Sequence, residues 1–181
     1  DILPAAGGAT YLAGAFRRVN GQARDALARV DAAGALTVWS ADAYSTELLT
    51  LSVAGDTLLA AGSVAVAGGV ARENLAAFAL DTDALRPWAP TMPHVVTDLA
   101  NHGPLIFAGL AHRSPVALPA GQPSVVAFEA LSGQPSTWAP PTTDPWDPWD
   151  LVGLVDGHVY LSSGFGRRFV RDITSPLTWL V

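Results

Sequence analysis

The chain has 181 residues, of which 50% are hydrophobic and only 14% charged, with a formal net charge of -6 and no cysteine. This length supports one domain with a sizeable core, and the apolar content excludes a disordered segment. The absence of a basic patch argues against nucleic acid as a partner, and the lack of cysteine excludes disulfides and thiolate metal sites.

Apolar residues come in short runs broken by 17 glycines and 14 prolines. None approaches the roughly 20 residues that span a bilayer. The chain begins at Asp1 without a signal-peptide pattern, which reads as a mature or excised segment. Alanine is abundant enough for a helical reading of DALARVDAAGAL, but Gly and Pro interrupt every window before a stable helix is long enough. The runs fit buried strands better.

Four strands are expected first at Ile2–Ala6, Ala9–Phe16, Ala26–Asp31 and Ala35–Ser40. A second set follows at Leu49–Ala54, Thr57–Val64, Asn74–Leu80 and Leu85–Ala89, and a third at Val96–Ala100, Leu105–Leu110, Ser124–Ala130 and Ser136–Ala139. The fourth set is Leu151–Val155, His158–Ser163, Arg168–Ile173 and Leu177–Val181. Gly7-Gly8, Gly55-Asp56, His102-Gly103 and Asp156-Gly157 separate first from second strands. Such residues supply the backbone conformations of tight hairpins. Gly34, Thr82-Asp83, Ser132-Gly133 and Ser175-Pro176 stand between third and fourth strands.

These sets are copies of one unit. Gly14 and Gly62 are 48 apart, as are Arg24 and Arg72, and Leu27 and Leu75. Trp39, Trp88 and Trp138 are separated by 49 and 50, and Phe78, Phe128 and Phe169 each precede a tryptophan by ten residues. Four-stranded units with a period in the forties predict a β-propeller, whose sheets stack face to face around an axis. Units of 1–43, 44–91, 92–142 and 143–181 give four blades, either closed on themselves or part of a larger ring of six to eight, which the excised start favours. Small residues at Pro4-Ala5-Ala6, Ser52-Val53-Ala54 and Leu99-Ala100 suit innermost strands. Each tryptophan reads as packing between blades rather than as a sugar or cofactor platform.

Departures from a repeat are where function concentrates. The third copy has a longer loop, Ala111–Pro123, and the fourth replaces it by a Gly164–Gly166 turn. Between them lies DPWDPWD. Asp144, Asp147 and Asp150, with Trp146 and Trp149, can form an acidic, aromatic rim for a sugar ring or for calcium through oxygen ligands. Against calcium, Pro145 and Pro148 stiffen a chain that would have to wrap the ion; the alternative is a rigid linker whose indoles pack on a neighbouring blade. His94, His102, His112 and His158 lack metal-site spacing, so no other metal or cofactor is implied. No nucleophile elbow, phosphate loop or dinucleotide fingerprint is present. Arg24 and Arg72 predict a repeated structural contact to a neighbouring turn or Asp.

The strings GQARDALARVDAAGALTVW, LSVAGDTLLAAG and GGVARENLAAFALDTDALRPWAP resemble the delta-60 repeat β-propeller family. The resemblance spans nearly the whole chain, strongest in the first two copies and weakest in the fourth. It implies a repeat propeller within a secreted or cell-surface bacterial protein, and it carries no catalytic residues. A weaker likeness is to quinoprotein repeats, in which a Thr/Ser-Gly turn precedes a docking tryptophan, as Ser132-Gly133 precedes Trp138. The expected function is a non-catalytic scaffold or binding module for protein or glycan, with further blades in the same parent chain. The rival is an enzyme, quinoprotein-like or a hydrolase or lyase, with Asp98, Asn101 and Asp150 at the mouth of the channel.

Overall fold

The structure, a computed structural model, describes residues 1–88, 90, 92, 94–110, 125–138, 149–155, 158–163, 168–172 and 178–179. The fold is all-β and its sheets are antiparallel. The first sheet orders β1 (Ile2–Pro4), β2 (Thr10–Ala13) and β5 (Leu27–Val30), and a small hairpin of β3 (Arg18–Val19) and β4 (Gln22–Ala23) projects between β2 and β5. The second has β6 (Tyr44–Ala54), β7 (Thr57–Ala67), β8 (Val70–Ala71) and β9 (Leu75–Ala79), the last two both pairing with β7. The third has β10 (Val96–His102), β11 (Leu105–Leu110) and β12 (Val125–Glu129). The fourth runs β13 (Trp149–Val155), β14 (His158–Ser163), β15 (Arg168–Asp172) and β16 (Thr178–Trp179). The first strands lie near one another: β6 packs against β1 and β10, and β10 against β6 and β13.

The turns follow local chemistry. Asn20-Gly21 closes the β3–β4 hairpin with φ of 50° and 78°, and Gly55 turns β6 into β7 at φ 59°. These left-handed values favour glycine and tolerate asparagine. The β10–β11 turn falls on Gly103-Pro104, one residue later than the expected His102-Gly103, because His102 is still paired with Leu105.

Expected fourth strands in the first three sheets shrink to single bridges, Val30 with Leu36, Phe78 with Leu85 and Phe128 with Pro135. In two of them an arginine takes over the outer carbonyls. Arg24 Nη2 donates to the Thr37 carbonyl (2.9 Å) and Nε to that of Trp39 (3.2 Å), while Arg72 Nη2 donates to the Arg86 carbonyl (2.9 Å). The repeated arginine is therefore a structural clamp, and its partners are main-chain carbonyls rather than an aspartate. Pro87 and Pro135 also lack the N–H that a longer ladder would use.

Alternation along each strand sends one set of side chains to each neighbour. Leu58, Ala60, Ala76 and Phe78 of the second sheet join Tyr11, Ala13 and Leu27 of the first in one buried cluster. From the opposite face Leu59, Ala61, Leu75 and Ala77 join Ile106, Ala108, Leu110 and Phe128 of the third. Phe107, Val125 and Ala127 meet Val159 of the fourth. Leucine and phenylalanine alternate with alanine, so large residues of one sheet enter the space left by small ones of the next.

Tryptophans bridge the junctions. Trp39 meets Tyr11 of its own sheet and Phe78 of the next edge-on, with ring centroids 5.4 and 5.5 Å away, and its Nε1 donates to the Asp83 carbonyl (3.1 Å). Trp88 reaches Phe128 at 6.2 Å and lies on Gly133, where an added Cβ would come within 2.6 Å of the indole. Asp83 and Gly133 are equivalent turn positions, both left-handed at φ 56° and 68°. The Ser-Gly turn thus docks the tryptophan of the preceding unit, not the one that follows it. Arg29 reinforces the first junction by pairing with the Asp83 carboxylate at 3.1 Å while lying over the Tyr11 ring.

The fourth copy departs in register. Phe169 pairs directly with Trp179, whereas in the other copies the partner stands three residues before the tryptophan. The common interval of ten is therefore not structural equivalence, and Trp179 does not occupy the register position of Trp39, Trp88 and Trp138.

Trp39→Ala is expected to cost about 3–5 kcal/mol in urea unfolding, as for a buried indole elsewhere. Gly133→Ala and Gly34→Ala impose the same left-handed penalty of about 1 kcal/mol, but only the first meets an indole. Gly133→Ala is expected to cost about 1–3 kcal/mol more than Gly34→Ala.

Candidate functional site

A groove of about 260 Å³ opens where the segment after β2 meets the start of β6, lined by Gly14–Arg17, Asp25, Ala26, Tyr44 and Ser45. Its floor is set by local backbone bonds. The Gly14 N–H donates to the Ala26 carbonyl and the Ala26 N–H to the Phe16 carbonyl, both at 3.0 Å, so the loop folds back on itself. Ala26 is held at φ 61°, and Asn74 occupies the equivalent place in the second unit at φ 65°. The lining includes two aromatic residues, Phe16 half-buried and Tyr44 exposed. It also includes two charged ones: Arg17 and Asp25 are both exposed, and neither has an ion-pair partner among the described residues. Ser45 Oγ donates to the Ser63 carbonyl (3.2 Å), tying the rim to β7. At this volume the groove suits one or two side chains rather than a whole cofactor. The repeat did not reveal it, because Tyr44 stands before the expected start of the strand at Leu49.

The residues singled out in sequence are placed as follows. Asp98 and Asn101 lie on β10 in uninterrupted register with Gly109 and Ile106, so their side chains leave opposite faces. Asn101 Oδ1 accepts from Ser52 Oγ at 3.3 Å, between the second and third sheets. Asp98 leaves the other face; burial raises its pKa, partly offset by the Leu99 N–H bonded to its Oδ1 at 2.8 Å. Trp149 and Asp150 belong to β13, where they pair with Ser163 and Ser162. Asp144, Trp146 and Asp147 lie outside the described residues, as does the Ala111–Pro123 loop. Among the described residues no three His, Cys, Asp or Glu side chains are grouped to hold a metal ion, and no helix is long and apolar enough to cross a membrane.

Sheets stacked face to face, with their first strands adjacent, define a β-propeller-like protein. BamB from Moraxella catarrhalis, a β-propeller repeat protein, superposes with a TM-score of 0.62 at 13% identity, over 98% of this chain and 48% of its own. The likeness is one of fold, and this chain spans about half the length of that protein. No protein family profile matches the chain, and no curated protein matches it in sequence.

Asp98 gives a pH test. Its carboxyl is neutral more readily in the folded state, so its contribution to stability is fully present below the unfolded pKa and is lost as pH rises through the folded one. Asp98→Asn keeps an acceptor for the Leu99 N–H and is expected to raise the melting point at pH 7, with the gain vanishing near pH 3.

Proposed function

We propose that the chain is a non-catalytic binding module built on an arc of four blades, approximately 1–43, 44–91, 92–142 and 143–181, from a larger propeller. Its partner is another protein, held through the groove between the first and second blades. The supporting observation is that groove itself: its lining brings an exposed tyrosine and a half-buried phenylalanine together with an arginine and an aspartate that have no ion-pair partner among the described residues. Such a site takes an apolar or aromatic side chain against the rings and a carboxylate against Arg17. The delta-60 likeness supports a place in a secreted or cell-surface bacterial protein. The enzyme reading has less behind it, since Asp98 and Asn101 leave opposite faces of one strand and do not converge on one reacting centre.

Panning a displayed peptide library against the protein tests this reading. Enriched peptides are expected to carry an aromatic or long aliphatic residue near a carboxylate. Tyr44→Ala and Arg17→Glu are each expected to weaken the selected peptide at least about tenfold, the effect of losing one central contact, with the melting point unchanged. Equal enrichment on the double variant, or selective retention of a glycan panel instead of peptides, would overturn it.

A further inference from the structure

The second unit holds a side chain where the first has only a methyl group. The loops after β2 and within the second unit share their main-chain bonds. Gly14, Arg24 and Ala26 donate to the carbonyls of Ala26, Arg17 and Phe16 at 3.0, 3.1 and 3.0 Å. Gly62, Arg72 and Asn74, each 48 residues on, donate to those of Asn74, Ala65 and Val64 at 3.1, 2.9 and 2.9 Å. Ala26 and Asn74 are therefore one position of the repeat, left-handed in both units at φ 61° and 65°. Asn74 Nδ2 donates to the Met92 carbonyl at 2.9 Å, fastening its loop to the segment that leads into the third sheet. Asn74 and Met92 are 18 apart, as are Ala26 and Tyr44. Met92 is 3% exposed and Tyr44 59%, and both Ala26 and Tyr44 line the groove.

Alanine at this position runs against local preference. A Cβ in the left-handed region crowds the main chain, and asparagine is the non-glycine residue that tolerates it best. Asn74 follows that rule and gains a bond to the next segment; Ala26 carries the strain and makes no such bond. Strain kept where a better residue is available marks positions whose chemistry serves something other than stability. At position 26 the methyl group leaves room: a groove of about 260 Å³ lies where the second unit has its asparagine cross-link.

We propose that Ala26 determines the specificity of the groove, and that the bound protein segment inserts a side-chain carboxamide, from asparagine or glutamine, into the place that Asn74 fills in the second unit. The proposal rests on the reading of the groove as a protein-binding site. The second unit supplies the carboxamide from its own chain, and the first receives it from the partner. Its N–H is aimed at the main chain about Tyr44, as that of Asn74 is at Met92. A main-chain carbonyl has two lone pairs, so one already engaged in a ladder still accepts it. A carboxylate of the same shape brings no N–H and sets negative charge against carbonyl oxygen, so aspartate and glutamate are not equivalent there. The carboxylate drawn to Arg17 is a separate group of the partner.

Peptides selected from a displayed library on the wild-type chain are expected to carry Asn or Gln at one fixed position beside the aromatic or aliphatic residue. In a synthetic copy of the selected peptide, exchanging that residue for the corresponding acid or for alanine is expected to weaken binding at least about tenfold. Ala26→Asn, which fills the place from within, is expected to weaken the unaltered peptide by a similar factor. Its melting point is expected to rise by about 2–4 °C as the left-handed strain is relieved. Ala23→Asn puts the same carboxamide on the exposed β4, outside the groove, and is expected to change neither. Selected peptides without a fixed carboxamide, or undiminished binding to Ala26→Asn, would overturn the proposal and leave the groove a protein site. The peptide exchanges are read on the wild-type chain, so they decide the matter even where Ala26→Asn does not fold. Peptides that ignore both Tyr44→Ala and Arg17→Glu overturn the groove reading itself, and this proposal with it.

Discussion

An indole laid across a sheet junction is the contact on which the rest of this structure depends. A four-stranded sheet of this length cannot cover both of its faces, and alanine-rich strands supply little area each. Trp39 joins three things at once: the aromatic side chain of its own sheet, that of the next, and the main chain of the next sheet's turn. It therefore sets distance and rotation between neighbouring sheets as well as adding buried area. Trp88 reaches Phe128 across the next junction and lies on Gly133, but its buried Nε1 has no hydrogen-bond partner among the described residues where Trp39 donates to the Asp83 carbonyl.

Holding the indole has a consequence for the strand that bears it. The segments carrying Trp39 and Trp88 make a single bridge to their sheets and are otherwise fastened by Arg24 and Arg72. A guanidinium reaching from a neighbouring loop satisfies carbonyls that a regular ladder would have paired, leaving the segment free to lean toward the next sheet. Clamp and indole are thus two parts of one device, repeated at the same spacing.

The groove beside Tyr44 arises where that regularity breaks. β6 begins several residues earlier than its repeat partners and carries register shifts between Tyr44 and Thr50, so its start projects past the sheet toward the loop of the first unit. Irregular pairing there exposes an aromatic ring beside Arg17 and Asp25, which have no ion-pair partner among the described residues. A scaffold of equivalent units offers recognition surface mainly at such departures.

Much of the fold was legible from residues alone. The spacing of Gly14 and Gly62, of Arg24 and Arg72, and of three tryptophans revealed the unit, and the alternation of apolar residues with turn signals revealed strands. β11 and β14 have the expected bounds, because turn-forming residues stand before each in the sequence and apolar alternation marks its length. These are local properties, and local sequence carries them. Tertiary structure alone decided which partner each repeated residue has. It set Trp88 on Gly133 rather than Trp138, turned Asp98 away from Asn101, and paired Phe169 directly with Trp179. Those outcomes depend on register and on the stacking of sheets roughly fifty residues apart in the chain, and a spacing within one copy holds no information about either.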